Sequence, residues 1–308
     1  MIRWPCSLAL LLTFAVFAHP AYAQSLSDPD AWQRDLQTWR AVHEKSISAP
    51  DGWLSLVALD WLRTGINSAG SDPASQIRLP ASAPAHLGLF TVSGSTVQLL
   101  SPAGGFPAGL TINGQPAREG ALSTSDSAPS VLTLGSISIA VMERAGRYAV
   151  RIKDSASPAR AAFHGLNWFP PNPKLVVLAR WVPYHPPQMA EIPTALGNSL
   201  HLPAPGVAVF MIDDEVVQLE PVVEDPQSRS LLFILRDQTS TTSTYPGGRF
   251  LHTQIPDHGL DQPGTLVLDL NRLENPPCAY TPYATCPLPP QKNRLGVAIE
   301  GGEKRYTP

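Results

Sequence analysis

The sequence is short of charge, of cysteine and of long apolar runs, and each shortage narrows what the protein does. Charged side chains make up 15% of the 308 residues, and the formal net charge at pH 7 is -3. Lysine and arginine nowhere form a run, so the clustered positive potential that holds a nucleic-acid backbone is missing. Beyond Ala18 no segment is apolar enough to cross a bilayer, which takes about 20 apolar residues in succession. There is no Gly-x-Ser-x-Gly elbow, no His-Glu-x-x-His, no Cys-x-x-Cys, no phosphate loop and no dinucleotide fingerprint. The common hydrolase and oxidoreductase folds are therefore disfavoured, and nothing asks for a cofactor.

What is present begins with an export signal. Arg3 supplies a positive start, Leu8 to Ala18 an apolar stretch, and Ala21-Tyr22-Ala23 the small-x-small pattern of a cleavage site. Residues 1–23 read as a signal peptide and Gln24 as the first mature residue, which predicts a soluble periplasmic or secreted protein. His19-Pro20 interrupts the apolar stretch too early for a membrane anchor, and Cys6 lies before it, where it cannot be lipidated.

The remainder reads as mainly β. Thirty-three prolines among many Val, Leu, Ile and Thr residues favour strands joined by tight turns. Residues 24–70 are expected to be a helical N-terminal segment. Ser27 or Asp28 can cap a helix reaching about Ser46, Pro29 suits its first turn, and Trp32, Leu36, Trp39 and Val42/His43 recur at helical spacing. Trp53 to Leu62 is ambiguous between helix and strand. Residues 71–155 carry seven short strand-like segments punctuated by glycines, the pattern of a small β-sandwich. Its Ile-x-Leu strand, Leu-Gly strand, Asn113-Gly114 turn and late Leu-Gly turn resemble a forkhead-associated sandwich. The Gly-Arg and Ser-x-x-His positions with which that family holds phosphothreonine are missing, so the resemblance implies shape and not phosphopeptide binding. Residues 156–308 read as an antiparallel β region, a sheet or a barrel, with its last strand at Gly296–Glu300.

The densest polar stretch is the loop 269–304. Asp269 and Asn271 close a strand, Asn275-Pro276-Pro277 opens a rigid turn, and Cys278 and Cys286 bracket Tyr280 and Tyr283 ahead of Asn293 and Arg294. The run Asn-Pro-Pro-Cys-Ala-Tyr-Thr-Pro-Tyr-Ala-Thr-Cys-Pro-Leu-Pro-Pro resembles the signature of a bacterial family of unknown function, number sixteen-eighty-four. Asp51-Gly52-Trp53-Leu54, Phe163-His164-Gly165-Leu166, Arg236-Asp237-Gln238-Thr239 and Thr244 to Leu251 extend the resemblance. It implies a β-rich protein and supplies no catalytic role.

Cys278 and Cys286 have three readings. In an oxidising compartment they form a disulfide, whose small loop would stabilise the fold by roughly 2.5 kcal/mol. They also suit a reactive dithiol, or a soft metal site with His252 or His258, although nothing in the sequence fixes such ligands. Asp269, Tyr283 and Tyr245 are candidate acid–base residues, and Arg249, Asn271, Asn275 and Asn293 candidate ligand contacts. The opposing reading has the Asp and Asn residues satisfying loop backbone and Arg249 pairing with Asp237 or Glu300. Glu303 and Lys304 read as an exposed tail pair. Two functions follow: a small-molecule pocket near residues 269–294, with or without catalysis, or a non-catalytic binding or structural module with a disulfide-locked loop. The oligomeric state is not legible.

Overall fold

Most strand-forming runs are short and separated by turns, so the chain folds as a series of ladders, antiparallel apart from one short parallel pairing. The computed structural model describes residues 28–307, apart from residues 126, 145, 226 and 228; the expected signal peptide lies outside the described residues. The fold is mainly β with an N-terminal helix. Helix α1 (Pro29–Ile47) is capped by Asp28, whose side chain accepts from the Ala31 amide at 2.8 Å. Its inner face carries Trp32, Leu36 and Ile47, and Trp39 stacks on His43 within the same face.

The ambiguous stretch resolves as a 3-10 turn at Trp53–Ser55 followed by strand β1 (Leu56–Trp61). Strand β2 (Gly65–Gly70) follows at once. Residues 56–70 are therefore largely strand, which corrects the expectation of a helical segment over residues 24–70. Strand β1 pairs with Arg147–Asp154 and β2 with Gly88–Ser93. The shift has a physical cause: Leu62 is buried in the sandwich core with Val57 and Ala58 packed against it, and the ladder with Arg147–Asp154 holds this run as strand. Two sheets, of six and five strands, enclose a core that includes Phe90, Leu99, Leu132, Ile139 and Val150.

The second region is built on two long strands, β3 (Val176–Pro193) and β4 (Ser199–Ile212). With Glu215–Leu219 and Gly264–Asp269 they form a four-stranded antiparallel sheet. Strands β5 (Ser230–Leu235) and β6 (Arg249–Gln254) pair as a separate two-stranded ladder. The two ladders share a core around Trp181, Phe233, Leu251 and Leu268 without joining into a closed barrel. Gly296–Glu300 is not a strand. Its backbone is bound by side chains instead: Ile299 donates to Asp237 Oδ1 at 3.3 Å, and its carbonyl accepts from Arg249 at 2.9 Å. No helix among the described residues is long and apolar enough to cross a membrane.

Candidate functional site

A cavity of about 280 Å3 opens where α1, the Trp53 turn, strands β5 and β6 and the signature loop meet. Three local rules bring its polar groups together. Helical periodicity sets His43 one turn before Ile47 and one turn after Trp39, so it faces inward. Strand alternation turns Phe250 and His252 toward the cavity while Leu251 enters the core. Finally, Phe250 exchanges two backbone hydrogen bonds with Glu274, each 2.9 Å, which fixes Glu274 against the same strand.

The Glu274 carboxylate then lies between two imidazoles. Its Oε2 is 3.2 Å from His43 Nδ1, and its Oε1 is 3.6 Å from His252 Nε2. The other nitrogen of His43 reaches Glu303 Oε2 at 3.4 Å. Glu303 is fully buried and accepts from Tyr280 Oη at 2.6 Å, from the Asn275 amide at 2.9 Å and from Asn275 Nδ2 at 2.7 Å. Burial pushes the Glu274 carboxyl above its ordinary value, against the pull of His43 and His252. For His43, burial favours the neutral ring, yet the hydrogen bond to Glu303 and the charges of Glu274 and Glu303 outweigh it and raise the pKa. The Tyr280 phenol is held well above 10.0 by burial first and by Glu303 second, so it remains a donor. The arrangement can hold a proton on His43 and present a Glu274 oxygen to the cavity as a base.

The structure disperses most of the residues singled out from sequence. Asp269 caps the turn Leu270–Arg272 and accepts from Trp32 Nε1 at 3.0 Å, lining an outer groove between α1 and β6 instead of the cavity. Buried Asn271 clasps the backbone of Asn172 through both atoms of its amide. Asn293 does the same for Glu220, whose carboxylate accepts from Tyr184 and Lys292. Arg249 is fully buried, paired with Asp237 at 2.8 Å and donating to the carbonyls of Ile299 and Gly301; its partner is Asp237, not Glu300. Tyr245 donates to the Cys278 carbonyl, and Tyr283 is exposed. His258 sits in a turn at 3.1 Å from the Pro263 carbonyl, apart from His252. Among the described residues no group of His, Cys, Asp or Glu has the geometry to hold a metal ion.

Asn275 alone of the named contacts lines the cavity. Glu303 corrects the expectation of an exposed tail. Gly302 has φ +76°, and a Cβ there would meet the Leu273 carbonyl oxygen at 2.3 Å. The glycine pair before Glu303 thus lets the chain run against the Leu270–Leu273 turn and deliver the carboxylate inside, which is the one signal the sequence held for it. Sequence reasoning also missed His43, His252 and Glu274 as a group, because they lie on three separate elements. Cys278 and Cys286 form a disulfide with Cα atoms 6.1 Å apart, closing the loop that carries Tyr280.

A family model described as a protein of unknown function (DUF1684) matches residues 161–304. Among solved structures, the solution NMR structure of an uncharacterized protein of Haloarcula marismortui is similar at 30% identity, over 47% of this chain and 78% of that one, with a TM-score of 0.41. A chain from a structural and functional analysis of phosphothreonine-dependent FHA domain interactions is similar at 20% identity, over 31% of this chain and 92% of that one, with a TM-score of 0.21. No curated protein matches the chain.

Proposed function

Since the chain belongs to the DUF1684 family, whose description names no reaction, we propose a function from its own residues: an exported protein that binds a small molecule in the cavity beside Glu274. One observation carries this reading. Glu274 is held between His43 and His252 on the cavity wall, an acid–base group set where a ligand can reach it. Ile47, Leu232 and Phe250 supply apolar wall for the body of a ligand. Where the ligand reacts, Glu274 is the general base and the His43–Glu303 pair the store of the proton. Export follows from the Ala21-Tyr22-Ala23 site and agrees with a disulfide, which persists in a periplasmic or extracellular setting. In this reading the sandwich over residues 71–155, with strands β1 and β2 added, and the region 156–308 are two structural units, and the cavity is built mainly on the second.

The test is a thermal-shift screen of small metabolites on wild type and Glu274→Gln. A compound that raises the midpoint of the first and not of the second is expected. A broad screen in which every hit stabilises both proteins equally would sink the assignment of the cavity. A structural reading has its own support: Asp269, Asn271, Asn293 and Arg249 spend their polar groups on internal partners around a disulfide-locked loop. It describes most of the signature and leaves Glu274 and His252 without a role.

A further inference from the structure

The cavity wall carries two carboxylates, Glu274 and Glu224, and two imidazoles, His43 and His252, and no lysine or arginine is among its lining residues. His43 is shared between Glu274 and Glu303, so with that ring protonated these three groups carry a net single negative charge, while half-exposed His252 is the second imidazole against Glu274. Arg151, 5.6 Å from the Trp53 ring, lies outside the lining residues. Trp53, Phe250 and Tyr280 bring aromatic surface beside the carboxylates.

A second observation is independent of charge. Asn275 is 3% exposed, and its Oδ1 is buried without a hydrogen-bond partner. Its amide orientation is fixed, because Nδ2 donates to Glu303 Oε1 and to the Lys304 carbonyl; a flip would set oxygen against two acceptors. A buried acceptor left bare on a cavity wall calls for a donor.

The geometry points to a small organic cation as the ligand: a primary or secondary ammonium carried on an apolar body. The ammonium donates to Glu274 and to Asn275 Oδ1, and the body lies against the aromatic wall, where a cation is further attracted to the ring faces. This deepens the reading of the cavity as a small-molecule site and rests on it.

The test titrates the full mature protein with three probes sharing one ring: benzylamine, benzyl alcohol and benzoate, by calorimetry and by NMR shifts at the cavity residues. Benzylamine is expected to bind at least about tenfold more tightly than the other two, a difference of about 1.4 kcal/mol. Glu274→Gln should weaken benzylamine by at least about tenfold. Glu224→Lys, at an exposed position on the cavity rim, should weaken benzylamine and strengthen benzoate. Benzyl alcohol or benzoate binding the cavity as tightly as benzylamine overturns the cation and leaves the pocket standing. Benzylamine binding that neither substitution changes also overturns it. Failure of all three probes to shift the cavity residues overturns both.

Discussion

Glu303 carries more hydrogen bonds than any other carboxylate of the candidate site. Replacing it by alanine strands the Tyr280 hydroxyl and two Asn275 donors in a dry interior, at about 1–3 kcal/mol for each orphaned group. The expected loss is roughly 2–4 kcal/mol after partial rewetting, read as a fall in urea midpoint at unchanged slope. Protonation of this cluster also couples to stability. Glu274 and His43 both have folded pKa values above their ordinary 4.5 and 6.5, so the folded state binds more protons than the unfolded chain. Their contributions are fully present below those values and are lost as pH rises through the folded pKa of each. Stability from this cluster should therefore fall from pH 4.5 upward through Glu274 and again from pH 6.5 upward through His43. Chemical denaturation between pH 6 and 8.5 checks the second step: the advantage of wild type over His43→Gln should shrink as pH rises.

At the scale of elements, the signature loop is held by side chains and a crosslink where a ladder is missing. Prolines remove its backbone donors, and Tyr245, Asn275 and the Cys278–Cys286 disulfide take over. Reduction should cost roughly 2.5 kcal/mol on the chain-entropy account, and because Tyr280 lies inside the closed loop it should also weaken binding at the cavity. Unfolding and thermal shift with and without dithiothreitol measure both effects. Here the sequence was legible in part. The cysteine pair, the helix with its Asp28 cap and the run of sandwich strands follow from local pattern. Strand β1 was not legible, because Leu56–Trp61 is a short apolar run whose state is chosen by its partner Arg147–Asp154, far along the chain.

At the scale of the molecule, the cavity draws on a helix, a turn, two strands and the loops that carry Glu224 and Glu274, from residues 43 to 280. The Thr281 hydroxyl donates to the Leu56 carbonyl at 3.1 Å, and Ile47, Leu54 and Tyr280 share one buried cluster, so the sandwich entrance and the signature loop hold each other in place. The export expected from residues 1–23 bears on the same scale, since an oxidising compartment is where the disulfide would form. N-terminal sequencing of protein recovered from the periplasm or medium should begin at Gln24, and recovery of the intact chain in the cytoplasm would overturn that expectation.

Composition and local pattern by themselves determined the β-rich class, the amphipathic helix and the rigid loop, because each depends on neighbours a few residues apart; which of the three readings of Cys278 and Cys286 holds was decided by the fold, where they form a disulfide. The tertiary structure decided which polar residues face one another. Asp269, Asn271, Asn293 and Arg249 look functional in sequence and spend their hydrogen bonds on backbone or on each other's turns. His43, His252, Glu274 and Glu303 look ordinary and meet at one cavity. A side chain's chemistry is written in its type, but its partners are set by packing between segments more than two hundred residues apart, as in the 260-residue separation of His43 and Glu303.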